Sequence, residues 1–325
     1  MLQNKRLLIT GGAGFIGSNL VEHFLMQGNH VVCLDNFATG KMDNIRPFFD
    51  NPDFTLIEGD IRDIETCRKA VKNTEIILHQ AAMGSVPRSI KDPKTTNDVN
   101  IGGFVNMLVA AKDAGIRRFV YAASSSTYGD SPSLPKVEEV IGKPLSPYAI
   151  TKYVNELYAG IFASLYHIET IGLRYFNVFG RRQDPEGAYA AAIPKFIRAL
   201  LRHESPVIYG DGHQSRDFTY IENVVQANEL AAITNNPEAL NTVYNIAYGE
   251  ATTVNDLVDA LRKNLSQFDP AIKDVTAVHS GIRIGDILHS LASIEKARRL
   301  LGYNPQYNLE TGLEKAIKWY WENWK

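Results

Sequence analysis

The sequence predicts an α/β protein built on a doubly wound parallel sheet, with a smaller mixed α/β lobe beside it. Three observations favour this fold: short β-branched runs alternate with amphipathic stretches, several runs are apolar throughout, and a glycine-rich turn follows the first run. Strands buried on both faces have continuous apolar sequences, and alternation with helices is typical of parallel sheets. Candidate strands lie at residues 6–10, 30–35, 54–58, 75–79, 118–122 and 170–174, and helical patterns lie near 15–27, 64–72, 97–114 and 149–166.

The pattern becomes less regular after residue 177. Because a domain has roughly 150 residues, the 325 residues of this chain suggest two units. We assign residues 1–176 to one domain, with part of 213–247 returning to its sheet, and residues 177–325 to a second, substrate-binding lobe. Helices of the second part are predicted at 189–203, 222–234, 254–265, 294–301 and 309–324.

Composition narrows the classes of function. Hydrophobic residues make up 45% of the chain and charged residues 22%, as in an ordinary soluble globular protein. A net charge of −2 without a basic patch argues against a nucleic-acid partner. No apolar run is long enough for a membrane helix or a signal peptide, so we expect a cytoplasmic protein with no membrane partner. Cys33 and Cys67 do not form a CxxC pair, and His79, His279 and His289 lack metal-ligand spacing, so we expect no metal.

A glycine-rich turn joins the first strand to the first helix. Gly11, Gly14 and Gly17 let the backbone turn tightly and approach a pyrophosphate, which the helix N-terminus stabilises. Asp35 ends the second strand, where an acidic side chain accepts hydrogen bonds from an adenosine ribose. Because Asp35 would repel a 2′-phosphate and no arginine follows it directly, the pattern favours NAD over NADP.

A second motif indicates acid–base chemistry. Tyr148 and Lys152 are four residues apart at the start of a helix and therefore share one face, and Ser124 follows the fifth strand. A tyrosine with its ordinary pKa of about 10 is a poor base at neutral pH. A neighbouring ammonium and a positive nicotinamide ring both lower that pKa. We therefore expect Tyr148 to be the general base, Lys152 to hold the nicotinamide ribose and Ser124 to orient the substrate oxygen.

The spacing Gly11-x-x-Gly14-x-x-Gly17 together with Tyr148-x-x-x-Lys152 resembles the extended short-chain dehydrogenase/reductase family. The resemblance covers essentially the whole chain and implies tightly bound NAD. It implies that NAD is contacted by Gly11, Gly14, Phe15, Ile16, Gly17, Asp35, Asn36, Thr39, Gly40, Asp60, Ile61, Gln80, Ala81, Ala82, Asn100, Tyr148, Lys152 and Phe176.

The segment 122–129, Ala-Ala-Ser-Ser-Ser-Thr-Tyr-Gly, resembles the active-site strand end of nucleotide-sugar epimerases and dehydratases. The 4,6-dehydratases carry an Asp-Glu pair where this chain has Ser125 and Ser126, so a dehydratase is disfavoured. Segments 173–177, 206–210, 215–218 and 282–286 resemble UDP-hexose 4-epimerases, in which arginines at two of these positions clamp the diphosphate. The implied substrate site consists of Gly84, Ser85, Ser124, Ser125, Ser126, Tyr148, Asn177, Val207, Tyr209, Arg216, Arg283, Asp286 and Ser290.

Ser290 occupies the position that walls the sugar pocket in this family, and its small side chain leaves room for a 2-acetamido group. Together with Gly84, where some relatives have a lysine, it makes the chain most similar to bacterial UDP-N-acetylglucosamine 4-epimerases. The resemblance implies interconversion of UDP-GlcNAc and UDP-GalNAc through a transient 4-keto sugar, with UDP-glucose and UDP-galactose as possible further substrates. It also implies a role in polysaccharide precursor synthesis and a homodimer formed through helices 97–114 and 149–166.

Two alternatives stay open. One is a UDP-uronate epimerase or decarboxylase, for which Arg88 could bind the carboxylate, and another UDP-sugar oxidoreductase belongs to the same class. The other is a non-catalytic NAD-binding regulator. The intact set of Ser124, Tyr148 and Lys152 argues against a regulator, because a sensor needs no tuned phenolate.

Overall fold

The structure, a computed structural model, describes residues 1–185, 191–281 and 288–324. Its strands are β1 (Arg6–Thr10), β2 (His30–Asp35), β3 (Phe54–Glu58), β4 (Ile76–His79), β5 (Arg118–Ser124), β6 (Glu169–Tyr175), β7 (Val178–Phe179), β8 (Val207–Tyr209), β9 (Ser215–Arg216), β10 (Thr219–Tyr220), β11 (Thr242–Ile246), β12 (Thr252–Thr253) and β13 (Val278–Ser280). Its helices are α1 (Phe15–Met26), α2 (Ile64–Ala70), α3 (Val86–Lys91), α4 (Pro93–Asn97), α5 (Phe104–Asp113), α6 (Pro147–Tyr166), α7 (Ala192–Leu201), α8 (Ile221–Ile233), α9 (Val254–Leu265), α10 (Glu295–Leu301) and α11 (Leu309–Trp324). Within the described ranges, no helix is long and apolar enough to cross a membrane.

A seven-stranded parallel sheet forms the centre, in the order β11-β6-β5-β4-β1-β2-β3. The chain moves outward from β1 through β2 to β3, then returns to β4 on the other side of β1 and continues outward. This reversal between β1 and β4 creates a crevice at the carboxyl ends of the strands. The predicted doubly wound, Rossmann-like sheet is therefore confirmed.

Both faces of the sheet are covered, which explains the continuous apolar runs. Leu7, Leu8 and Ile9 of β1 are all fully buried. Leu7 and Ile9 belong to the core under α1 and α8, and Leu8 belongs to the core under α2, α5 and α6. Alternate residues of one strand therefore pack into two separate cores.

The second half of the chain contributes to both parts of the molecule. β11 pairs in parallel with β6 at the edge of the central sheet. α8 packs on α1, and a carboxylate oxygen of Glu229 lies 2.8 Å from Nε2 of His23. Short two-stranded pairs, β7 with β10, β8 with β13 and β9 with β12, lie outside the central sheet. The division of the chain at residues 176 and 177 itself stays a prediction.

The predicted strands agree with the structure to within two residues at each end, but the region before α5 does not. The helix predicted at 97–114 begins earlier, at Pro93, and its segment Asp98–Gly103 is π-helical. A further helix, α3, was not predicted. The side chains of Ser85 and Asp92 cap α3 and α4, and each helix has a proline in its first turn.

A buried ion pair joins α6 to β6. Arg174 donates to both carboxylate oxygens of Glu156, at 2.9 and 2.7 Å, and to the carbonyl of Glu138 at 3.0 Å. Its guanidinium carbon lies 4.9 Å from the ring centroid of Tyr128. Both charged side chains are almost fully buried, so each depends on the other for compensation of its charge.

Replacing Glu156 with glutamine should therefore leave the Arg174 charge buried without its counter-ion. We expect the free energy of unfolding to fall by about 3–5 kcal/mol, measured by urea denaturation followed by circular dichroism. Asp98→Asn is the matched control, because Asp98 pairs with Lys94 on the surface at a spacing of four residues and should change stability very little. Equal effects of the two substitutions would contradict the assignment.

Candidate active site

The turn between β1 and α1 has no room for a side chain at Gly11 or Gly17. Gly11 has a φ of +67°, and a Cβ at this position would lie 2.8 Å from the Cα and nitrogen atoms of Ala81. A Cβ on Gly17 would collide with the carbonyl oxygen of Gly11. Gly14 precedes α1 as its N-cap and contributes no side chain. The first N–H groups of α1, from Phe15 onward, are therefore open to an anion at the crevice.

Asp35 holds this turn in place. Its carboxylate accepts hydrogen bonds from the N–H groups of Ala13, at 2.9 Å, and Phe37, at 2.8 Å. A Cβ on Gly40 would lie 2.9 Å from both carboxylate oxygens. Burial raises the pKa of Asp35 and the main-chain hydrogen bonds oppose that rise. Asp35 thus shapes the turn in addition to its predicted contact with a ribose.

The next predicted cofactor residues surround the ends of β2 and β3. Asn36 and Thr39 are exposed, and Asn36 donates to Asp60 at 2.8 Å. Arg62 also binds Asp60 with both Nε and Nη2, and this interaction lowers the pKa of Asp60 to about 2. Ile61 is buried and leaves no room for a Cβ on Gly103. The carboxylate of Asp60 is therefore held in place by Asn36 and Arg62, and the buried Ile61 packs against Gly103.

The loop after β4 is fixed to β1. The N–H of Gln80 donates to the carbonyl of Thr10, and the N–H of Ala81 donates to the Thr10 hydroxyl at 3.2 Å. That hydroxyl lies 2.9 Å from Nδ1 of His79. Burial, with a smaller effect of the Lys152 charge, lowers the pKa of His79 to about 3, so the ring is neutral. The hydroxyl of Thr10 thus connects the ring of His79 to the N–H of Ala81, and the tautomer of the neutral ring sets which atom donates in the contact with Nδ1.

Ala82 follows in the same loop and is half-buried. The Gln80 side chain, in contrast, is directed to protein partners. Its amide donates to Asn228 at 3.1 Å and accepts from the hydroxyl of Tyr175 at 3.1 Å. These bonds connect the end of β4 to β6 and α8. From the sequence, Gln80 was expected only to contact the cofactor.

Two further predicted cofactor residues have protein partners. The Asn100 side chain is buried, accepts from the N–H of Met83 at 2.7 Å and donates to the hydroxyl of Thr151 at 3.0 Å. The Phe176 ring is fully buried, 6.0 Å from the ring of Tyr128. Contact of these two residues with the cofactor stays a prediction.

The predicted catalytic residues meet where β5 ends and α6 begins. Lys152 is buried, and its Nζ donates to the carbonyl of Ala122 at 2.7 Å and lies 5.9 Å from the ring centroid of Tyr148. Tyr148 is hydrogen-bonded to Ser124. Ser126 donates to the Ser124 hydroxyl through its own hydroxyl, at 2.9 Å, and through its N–H, at 3.2 Å. The proton of Ser124 therefore remains available to Tyr148 or to a ligand.

The start of α6 is fixed from two sides. Ser146 is the N-cap, and its hydroxyl accepts from the N–H of Ala149 at 3.1 Å. Ser89 of α3 accepts from the N–H of Tyr148 at 3.0 Å. No role was predicted for Ser89, although Ser85 followed by Pro87 is a helix-start signal that places Ser89 on a helix.

Burial has the largest effect on the pKa values of Tyr148 and Lys152. It raises the pKa of Tyr148, and the hydrogen bond with Ser124 opposes this. Burial also lowers the pKa of Lys152 to about 8, against the charge of Glu156. The expected lowering of the Tyr148 pKa by Lys152 and a bound nicotinamide stays a prediction. A positive charge that binds in the crevice would favour the phenolate.

A cavity of about 480 Å³ brings together four predicted substrate residues, Asn177, Val207, Tyr209 and Arg216. Asn177 comes two residues after the end of β6, so the cavity begins at the carboxyl end of the central sheet. Nη1 of Arg216 donates to the carbonyls of Ser215 and Leu288, at 2.9 and 3.3 Å. Side chains that the sequence analysis did not assign also line the cavity: Ile193, Lys195, Phe196, Glu204, Gln214 and Phe218. The amphipathic pattern of α7 is the sequence signal that could have indicated Ile193, Lys195 and Phe196.

The remaining predicted sugar contacts lie on several elements. Ser125 and Ser126 are half-exposed in the turn after β5, and a Cβ on Gly84 would meet nothing within 4 Å. Ser85 has a φ of +95° and caps α3 with its hydroxyl, which makes it a structural residue. The N–H of Ser290 donates to the carbonyl of Ser215 at 3.1 Å, beside Arg216. Two predicted contacts, Arg283 and Asp286, lie outside the described residues.

Across residues 1–185, 191–281 and 288–324, no group of three or more His, Cys, Asp or Glu side chains is arranged to hold a metal ion. Cys33 and Cys67 are buried thiols, as expected, and burial is the main cause that raises the pKa of each.

Known proteins similar to this chain share its full length. A putative UDP-glucose 4-epimerase of Methanocaldococcus jannaschii is 37% identical over 315 residues, which cover 96% of this chain and 97% of that protein. The UDP-N-acetylglucosamine 4-epimerase of Methanobrevibacter ruminantium M1, solved in complex with UDP-N-acetylmuramic acid, superposes with a TM-score of 0.91 at 38% identity over 99% of both chains. The UDP-glucuronic acid 4-epimerase of Bacillus cereus, solved with UDP-glucuronic acid and NAD, superposes with a TM-score of 0.88 at 32% identity over 98% of this chain and 99% of that one.

Residues 7–247 match the model of the NAD-dependent epimerase/dehydratase family. This range includes the glycine turn, the Ser124, Tyr148 and Lys152 group, and Arg216 in the cavity wall. The sequence match, the full-length relatives and the site geometry agree, and the chain belongs to the NAD-dependent epimerase/dehydratase family.

Proposed function

We propose that this chain is a UDP-sugar 4-epimerase that interconverts UDP-GlcNAc and UDP-GalNAc. The observation that carries the proposal is a Ser124, Tyr148 and Lys152 group combined with a separate cavity that has Arg216 in its wall. The group can move a proton at a sugar hydroxyl, and a guanidinium can bind a diphosphate. An epimerase needs both, because the nucleotide has to stay bound while the sugar rotates to present its other face.

NAD is the cofactor of this family, and the residues present fit it. The cradle at Gly11 and Gly17 admits no Cβ, as the close approach of a pyrophosphate requires, and Asp35 lies at the end of β2. Lys152 lies beside Tyr148, where it would hold the nicotinamide ribose. When bound, NAD supplies the hydride acceptor and donor together with the positive charge that favours a phenolate. We propose that it stays bound through turnover.

The chain's own residues then control one proton. Tyr148 accepts the proton of the 4-hydroxyl when C4 becomes a ketone, and returns it after the sugar has presented its other face. Ser124 orients the oxygen by donating its hydroxyl proton, which Ser126 leaves available. The buried Lys152 places a cation near the Tyr148 ring and is fixed by the Ala122 carbonyl.

Small side chains support the N-acetylated substrate. Ser125 and Ser126 are half-exposed beside Ser124, Gly84 faces open space, and Ser290 lies next to the strand of Arg216. None of these fills the volume that an acetamido group needs. Serines are also poor acids and bases at neutral pH, so the site lacks the groups for a dehydration. One similar structure is a UDP-N-acetylglucosamine 4-epimerase.

A UDP-uronate epimerase, a decarboxylase or another UDP-sugar oxidoreductase is the second candidate. The specific observation in its favour is that Arg88 lies on α3 next to Ser89, which binds the N–H of Tyr148. A cation there could bind a uronate carboxylate. The similar structure from Bacillus cereus is a UDP-glucuronic acid 4-epimerase.

We also propose that two copies pair through α6. This helix has an exposed apolar stripe formed by Ile150, Leu157, Ile161 and Leu165, each more than half exposed. Their spacing places them on one side of the helix. A contiguous apolar surface of this kind marks an interaction site, and a second copy of α6 is a matching partner.

The glycine turn gives the first prediction. Gly17→Ala should abolish retention of NAD, because the added Cβ collides with main-chain atoms of Gly11, which cannot move without opening the turn. NAD is measured per chain after denaturing the purified protein. Gly160→Ala is the control, since a Cβ in that part of α6 meets nothing within 4 Å. Normal NAD content in Gly17→Ala would contradict the assignment of the cradle.

The second prediction concerns the substrate. Purified protein incubated with UDP-GlcNAc and no added NAD should form UDP-GalNAc, followed by NMR. Tyr148→Phe should keep its NAD and lose this activity, because the phenolic oxygen is removed and the fold is not. Ser290→Tyr should lose conversion of UDP-GlcNAc and keep any conversion of UDP-glucose, because the larger side chain occupies the acetamido space.

Each other result of that assay has a defined meaning. Conversion of UDP-glucose alone by the wild type would reject the acetamido pocket and retain the epimerase. Conversion of UDP-glucuronic acid alone, or release of NADH or CO2, would favour the second candidate function. An active Tyr148→Phe variant would reject Tyr148 as the base.

The third prediction tests pairing through α6. Light scattering after size exclusion should give twice the chain mass of 36.2 kDa for the wild type. Ile161→Asp should give the mass of one chain, because it places a charge in the centre of the apolar stripe. Met26→Asp, at a more exposed apolar position on α1, should leave the mass unchanged. A dimeric Ile161→Asp variant would exclude α6 as the interface.

A further inference from the structure

We propose that Asp217 is a positioning residue for substrate binding, whose buried carboxylate fixes the main-chain segments around Arg216 in their binding geometry. The inference rests on the proposed function, because it assigns Arg216 to a nucleoside diphosphate. It concerns a residue that cannot itself touch the ligand, since Asp217 is fully buried.

The carboxylate of Asp217 collects main-chain N–H groups from two distant segments. One oxygen accepts from Tyr248, at 3.1 Å, and from Gly249, at 3.2 Å. The other accepts from Gly249 and from Ala292, both at 3.2 Å. Asp217 directly follows Arg216 in the chain, so three stretches separated in sequence meet at one charge.

These contacts suit a carboxylate and no neutral analogue. Each oxygen receives two N–H groups, and a charged acceptor forms stronger hydrogen bonds than a neutral one. An asparagine at position 217 has only one acceptor oxygen, and its NH₂ would face N–H donors. Burial raises the pKa of Asp217 to about 7, and the hydrogen bonds from Ala292, Gly249 and Tyr248 oppose that rise. The hydrogen bonds therefore offset part of the cost of burying this charge, and the carboxylate in turn joins the segments.

Asp217 and the segment 288–292, which it holds through Ala292, contact two residues of the cavity wall, Asn177 and Arg216. The Asn177 side chain donates to the Asp217 carbonyl at 3.2 Å. Arg216 donates to the carbonyl of Leu288, and the N–H of Ser290 donates to Ser215. The segment 288–292 thus orients Arg216 at one end and is fixed to Asp217 through Ala292 at the other.

A second bond in the same place strengthens this connection. Ser215 forms a parallel bridge with His289, and its hydroxyl lies 3.0 Å from Nδ1 of that ring. The guanidinium of Arg216 is therefore held between strand β9 and the segment 288–292. If Asp217 releases Ala292, the segment 288–292 keeps its bonds to β9 but loses its attachment at Ala292.

The catalytic group lies elsewhere, on β5 and α6, so the two functions are separable. Loss of the Asp217 charge should weaken nucleotide binding and leave the proton transfer at Tyr148 unchanged. A purely structural residue would lower stability, NAD content and kcat together. A positioning residue for the diphosphate should change KM and the affinity for UDP, with kcat and NAD retained.

The experiment uses the NAD-loaded protein. For Asp217→Asn we expect KM for the UDP-sugar, and Kd for UDP by calorimetry, to rise about tenfold or more, which corresponds to about 1.4 kcal/mol of binding free energy. Values of kcat and NAD content should stay near those of the wild type. Asp259→Asn is the control, because Asp259 is an exposed residue of α9 paired with Arg262, and it should change neither quantity. Unchanged KM and Kd, or a parallel loss of kcat and NAD, would overturn the inference.

A measurement on the wild type covers the case in which Asp217→Asn does not fold. Because binding and local stability are linked reciprocally, UDP should slow amide hydrogen exchange at Tyr248, Gly249 and Ala292, which do not line the cavity. Unchanged exchange in the presence of saturating UDP would overturn the inference alone. Absence of any UDP binding by the wild type would instead overturn the proposed function, and the inference with it.

Discussion

The hydrogen bond from Lys152 to the Ala122 carbonyl, 2.7 Å long, is the contact on which the arrangement of the site depends. It fixes α6 to the end of β5 and holds an ammonium where almost no water reaches it. Every other catalytic position follows from that contact. Tyr148 lies one turn earlier on the same helix, and Ser124 lies two residues further along the same strand. The buried pair of Glu156 and Arg174 begins one turn later.

The two parts of the site are built in different ways, and the difference suits their tasks. Ser124, Tyr148 and Lys152 lie on long elements whose positions are fixed by two cores. The cavity around Arg216 is formed by α7 together with short strand pairs and turns. Main-chain hydrogen bonds to a buried carboxylate, that of Asp217, add to the apolar packing there. The proposed proton transfer thus depends on long elements, and the proposed nucleotide binding depends in part on a polar network.

The sheet, the glycine turn and the proximity of Ser124, Tyr148 and Lys152 could be predicted from the sequence, because each has a local signature. Strand sequence, a tight glycine turn and a four-residue helical spacing are properties of neighbouring residues. The direction of a side chain is not. The side chains of Gln80, Asn100 and Phe176 contact protein partners that are 148, 51 and 48 residues away. The effect of burial on the pKa of Tyr148 was likewise not predictable from neighbouring residues, since burial depends on the whole fold.

The burial of Tyr148 has a consequence for when the site would be ready to accept a proton. Burial raises the pKa of this hydroxyl and so works against a phenolate. A bound, oxidised nicotinamide would supply a positive charge that favours the phenolate. The basicity of Tyr148 would then depend on whether the cofactor is bound and on its oxidation state.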